Sequence, residues 1–67
     1  MGWAGASEHM GTLIRSMRKH VPDDKARGAV YRAMIRSFQN GDWDTEDECE
    51  GMDPIFDKAL KTVNRGR

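Results

Sequence analysis

Two prolines, each beside an aspartate, divide this chain. Pro22 stands in Val21-Pro22-Asp23-Asp24 and Pro54 in Asp53-Pro54. Proline disfavours helix in the residue before it and suits the first turn of the helix that follows. Each proline therefore marks a place where one helix has stopped and another begins. The segments between them carry apolar residues at helical spacing, and no stretch alternates as a strand does.

The first segment follows a run of small residues, Met1-Gly2-Trp3-Ala4-Gly5-Ala6, read as a flexible N-terminus over residues 1–6. Ser7 has the place of a helix N-cap, with Glu8 in the first turn. Met10, Leu13, Ile14, Met17 and Val21 then line one face, and the helix is expected to end near His20. The second helix is expected from about Asp23 to Asn40. Ala26, Val30, Ala33, Met34 and Phe38 form its stripe, widened by Ala29, Tyr31 and Ile35. Gly28 inside it reads as a site of close approach by another helix. Asn40-Gly41 reads as its stop, with glycine in the left-handed cap.

The stretch GDWDTEDECEGMDP, residues 41–54, places Trp43 and the only cysteine among seven carboxylates. Thr45-Glu46-Asp47-Glu48 has capping-box spacing, so a short acidic helix is expected to run to about Glu50 and stop at Gly51. Asp53-Pro54 starts the last helix, whose stripe is Ile55, Phe56, Ala59, Leu60 and Val63. Residues 64–67 are expected to fray. The expected fold is all-α: a single domain, 1–67, built as a compact bundle of three main helices and one short acidic helix. Its expected core holds Leu13, Ile14, Met17, Val30, Met34, Phe38, Trp43, Ile55, Phe56, Leu60 and Val63.

Size and composition narrow the function. A chain of 67 residues, 33% charged and 7% aromatic, has room for a small core and not for a deep substrate cavity. One cysteine cannot form an internal disulfide, which points to a reducing compartment, and a cytoplasmic protein is expected. No apolar run approaches the roughly 20 residues of a membrane span, and no signal-peptide pattern is present. Gly2 opens a myristoylation-like start, but Trp3 and Ala6 depart from that signal. No membrane partner is expected.

The acidic stretch is also a test case for metal. Asp42, Asp44 and Glu46 fall at positions 1, 3 and 5 of a calcium loop, with Asp53 at position 12. The loop's glycine is replaced by Asp47, and its bidentate terminal glutamate is missing. His9, His20 and Cys49 match no zinc spacing. No metal and no cofactor are expected. Cys49 lies between Glu48 and Glu50, which oppose a thiolate, so nucleophilic catalysis is not expected.

The pieces MGWAGAS, HVPDD, DWDTEDEC and DPIFDKAL resemble a group of short proteins encoded by phages, prophages and bacterial genomes. These begin Met-Gly-Trp and carry an acidic Asp-x-Asp-Thr-x-x-Glu-Cys segment. The resemblance spans most of the chain and implies an accessory protein in the cytoplasm of a bacterial host. It brings no catalytic activity with it.

Net charge is zero but unevenly spread. The acidic belt, with Trp3, offers a protein-interaction surface: Trp3, Asp42, Asp44, Glu46, Asp47 and Glu50. The same acids also suit a solvated, capped helix start. The expected function is a non-enzymatic module that binds or modulates a host protein, its partner not specified by the sequence. The alternative is a small nucleic-acid-binding protein using Arg15, Arg18, Lys19, Arg32 and Arg36 as a basic face on the first two helices. The acidic belt and the missing recognition-helix signature weigh against it.

Overall fold

The computed structural model describes residues 5–66. Among them the chain forms three α-helices and one 3-10 turn: α1 (Ala6–His20), α2 (Asp24–Asn40), η1 (Glu46–Cys49) and α3 (Pro54–Arg65). No strand occurs among the described residues. α3 lies along α2, while α1 is held mainly against η1. The body measures 34 × 24 × 18 Å.

Both prolines lie at helix junctions, but only Pro54 enters the first turn of the helix that follows; Pro22 stays outside α2, and Asp23, expected in the first turn, is its N-cap. Asp23 caps α2 by accepting the Lys25 N–H at 3.1 Å. Asp53 caps α3 by accepting the Ile55 N–H at 3.0 Å, with Pro54 in the first turn. Each carboxylate satisfies one of the donors that a helix start leaves unpaired. α1 stops at His20 with Arg18, Lys19 and His20 at its negative end.

Several local expectations are corrected. The N-cap of α1 is Gly5, in the left-handed region at φ 86°, and no side chain caps the helix. Ser7 lies inside the first turn, where its hydroxyl turns to the 43–45 segment. The helix therefore begins with Ala6, which is fully buried rather than part of a loose terminus.

α2 ends at Asn40 with Gly41 as its C-cap, as expected, but the glycine does not take the left-handed position. Gly41 has φ −93°, and the left-handed residue is Asp42 at φ 71°. The Trp43 N–H donates to Phe38 O at 3.1 Å and the Asp42 N–H to Gln39 O at 3.0 Å. These two bonds and a left-handed residue between them make a Schellman stop. Its usual apolar contact is present as an edge-on Phe38–Trp43 pair, ring centroids 5.6 Å apart. Seating Trp43 against Phe38 fixes the register, and Asp42 takes the left-handed geometry that aspartate tolerates better than most residues.

The capping box does not form. Thr45 precedes η1 without a side-chain cap bond, and its hydroxyl pairs with Ser7 Oγ at 2.8 Å. The segment winds as a 3-10 turn ending at Cys49, with Gly51 at φ 84° supplying the reversal. At the far end, α3 continues through Asn64 and Arg65, where fraying was expected. The Asn64 side chain there accepts from Gln39 Nε2 at 3.1 Å.

The core is Ala6, Met10, Ile14, Tyr31, Ile35, Trp43, Cys49, Phe56, Ala59, Leu60 and Val63. Met17, Met34, Phe38 and Ile55 pack against it partly buried. Leu13 and Val30, expected inside, are 39% and 41% exposed. A polar group causes the rotation of α2. The Tyr31 hydroxyl donates to Asp53 Oδ2 at 2.7 Å, and its ring meets Phe56 edge-on at 5.4 Å. With Tyr31 turned inward, Val30 points about 100° away, towards solvent. Gly28 is buried against α3, yet an added Cβ would sit 3.5 Å from Ile55 Cγ2, an ordinary contact.

Candidate protein-interaction surface

The acidic segment is pinned at both ends. At its start, Ser7 Oγ donates to Thr45 O at 3.0 Å and accepts from Trp43 Nε1 at 2.9 Å. Its only proton is thereby used, so the Thr45 hydroxyl is the donor in their 2.8 Å contact. Trp43, only 3% exposed, is thus a core anchor and not a surface hot spot. At its end, Cys49 is buried and its thiol donates to Ser7 O at 3.5 Å. One residue of the first turn of α1 therefore holds three points of the 43–49 segment.

With Trp43 and Cys49 turned in, the carboxylates turn out. Asp44, Glu46, Asp47 and Glu50 line a groove of about 630 Å³ against the C-terminal half of α3. Leu60 lies in its wall, with Lys61, Asn64 and Arg65 along the opposite side. Those four α3 residues were not singled out from the sequence as site residues. Their signal was present: positions 60, 61, 64 and 65 share one helix face. Asp42 is exposed at the α2 stop and lies outside the groove lining. Trp3 falls outside the described residues.

The basic residues of the alternative reading are spread over several places. Arg18 reaches across to η1's exit and donates to Met52 O at 2.6 Å. Arg15 bonds Thr12 on its own helix, and Lys19 is exposed. Arg32 lines a groove between α2 and α3, and Arg36 a separate one near Val63 and Gly66.

Chemistry-bearing groups in the interior are occupied. Burial first, and then the charge of Glu48, pushes the Cys49 thiol above its ordinary pKa. Asp53 is 1% exposed and accepts from Tyr31, from Ile55 N–H and from Arg27 Nε at 2.9 Å. Burial works to raise its pKa, but these three donors and the Arg27 charge hold it below the usual aspartate range. Tyr31 is pushed well up, first by burial and then by its bond to Asp53. Arg27 also donates to Val21 O at 2.8 Å, so this hub ties the α1–α2 turn to both later helices. Among the described residues no three His, Cys, Asp or Glu side chains converge as a metal ion would need. No helix among them is long and apolar enough to cross a membrane. Compared with family models, curated proteins and solved structures, the chain finds no match.

Proposed function

We propose that this small helical bundle is a non-enzymatic protein-binding module that uses its acidic groove to hold a basic segment of a partner. The observation carrying the reading is the convergence of Asp44, Glu46, Asp47 and Glu50 around one groove that also exposes part of Leu60. Carboxylates at the rim would favour and orient a basic partner, and an apolar wall gives its chain something to bury. The buried, proton-holding Cys49 supports a binding role over a nucleophilic one. The resemblance of MGWAGAS and DWDTEDEC to short phage and prophage proteins supports an accessory role in a bacterial host's cytoplasm, directed at a host protein.

The test is a binding measurement with charge reversal. A labelled peptide of Lys-Lys-Leu-Leu repeats should bind the wild-type chain and lose at least about tenfold in affinity on Asp47→Lys with Glu50→Lys. A host protein captured by the tagged chain should be lost with the same pair. Binding that ignores both substitutions would refute the groove as the site. Tighter, salt-sensitive binding of duplex DNA, lost on Arg32→Ala with Arg36→Ala, would instead select the nucleic-acid alternative.

A further inference from the structure

A second groove, of about 510 Å³, runs between α2 and α3 and has the opposite charge. Lys25, Arg32 and Lys58 rim it, and its floor is Gly28, Ile55 and Ala59. None of the three cations takes part in an ion pair among the described residues; the ion pairs there are those of Arg27. The one carboxylate in the lining, Asp24, is already engaged by Arg27 at 3.3 Å. The absence of a side chain at Gly28 leaves the floor open. Arg32 Nη1 and Ile55 Cγ2 come to 3.6 and 3.5 Å of the point where a Cβ would stand, so the guanidinium reaches in from the rim beside Gly28.

We propose that this groove is a second docking site, for an acidic amphipathic helix of a partner protein. Three unpaired cations around an apolar strip are complementary to carboxylates flanking an apolar ridge. Of the floor, Ile55 is the part-exposed apolar side chain that a docked helix can cover, with the buried Gly28 and Ala59 shaping the strip beside it. The described residues offer no strand edge for an extended peptide to join. Nor does the floor hold an aromatic ring on which a nucleic-acid base could stack, because Tyr31, Trp43 and Phe56 are buried. The site is independent of the acidic groove, and either can fail without the other.

The experiment uses the full chain and a labelled peptide of Glu-Glu-Leu-Leu repeats, read by fluorescence anisotropy. Lys25 and Lys58 are exposed, so Lys25→Glu and Lys58→Glu should leave the melting curve in place. Each should weaken the acidic peptide by about tenfold or more, whereas Asp47→Lys should not weaken it. Added salt should weaken it too. Ile55 methyl resonances should shift on titration. No saturable binding, or binding indifferent to both substitutions, would overturn the proposal. So would a duplex oligonucleotide that binds more tightly than the peptide and shows the same two losses.

Discussion

Removing the Asp53 carboxylate is the sharpest perturbation available, because one buried group performs several tasks. Asp53 caps α3 through Ile55 N–H and receives the Tyr31 hydroxyl and the Arg27 guanidinium, at 1% exposure. In Asp53→Ala the lost cap is worth about 1 kcal/mol. The Tyr31 hydroxyl keeps only a long 3.4 Å bond to Ile14 O, and stranding a buried donor costs about 1–3 kcal/mol. Arg27 keeps Val21 O and Asp24, so nothing further is counted for it. The sum is about 2–4 kcal/mol, against a total stability of roughly 3–10 kcal/mol for a domain of this length. Asp53→Ala should therefore melt more than about 10 °C lower, or be unfolded at room temperature. Asp53→Asn can keep the cap with its one oxygen, but its NH2 then stands where Oδ2 accepted from Tyr31 and Arg27, so it should save the cap alone and still lose about 1–3 kcal/mol. Circular dichroism melts of both variants, with Tyr31→Phe and the Asp53→Asn/Tyr31→Phe pair, give the coupling directly. If Asp53→Ala melts within a degree of wild type, or the pair is strictly additive, the hub is not what holds these helices in register.

The hub also sets the pH range. The lowered Asp53 pKa means stability present above the unfolded value of about 3.9 and lost as pH falls through the folded one, while the raised Tyr31 pKa means stability full below about 10 and lost above it. Melting temperature against pH should thus fall at both ends, and Tyr31→Phe should flatten the alkaline fall. Gly28→Ala should stabilise by up to about 1 kcal/mol, since its Cβ meets only ordinary contacts and alanine is the better helix former; a lower melting temperature would show that close approach requires glycine. Asp42→Gly should stabilise by about 0.5–1 kcal/mol by relieving the left-handed φ of 71°, and a loss would contradict the Schellman stop. Leu60→Ala should cost about 2–5 kcal/mol and Leu13→Ala under about 1 kcal/mol, a contrast that thermal melts resolve.

The helix starts at Asp23 and Asp53 and the α3 stripe were legible because each depends on local chemistry: a carboxylate, a proline, a 3.6-residue period. Errors arose where a distant residue decided the outcome. Val30 and Tyr31 both fit a helical stripe, and periodicity does not say which faces inward. The choice is made by Asp53, 22 residues away, whose carboxylate draws the tyrosine hydroxyl into the interior. The capping box failed for the same reason. Thr45 has a local use as a cap, but Ser7, 38 residues earlier, offers its hydroxyl a partner that also secures Trp43. The acidic residues of the site were legible as a cluster. That most of them face α3 was not, because no spacing within 42–50 announces which helix lies opposite.

The way Ser7 holds the acidic segment bears on how that segment can bind. A loop of free carboxylates would have to be ordered when a partner arrives, at about 1–2 kcal/mol of backbone entropy per residue. Here Trp43, Thr45 and Cys49 are already fixed to the first turn of α1, and Gly51 N–H is tied to the Asp57 carboxylate at 3.1 Å. Much of that ordering occurs on folding instead, so in the proposed binding role the carboxylates would face the groove before a partner reached it. Loosening the anchor without touching a single charge should therefore weaken binding. Ser7→Ala removes the acceptor of Trp43 Nε1 and the partner of Thr45 while leaving all six acids at 42, 44, 46, 47, 48 and 50 in place. The Lys-Lys-Leu-Leu probe should bind it several-fold more weakly than wild type at a temperature where both remain folded. Salt dependence should stay the same, since the charge count is unchanged. Equal affinity for the two proteins would mean that the acids act only through their summed field, and that the 43–49 anchor serves the fold alone.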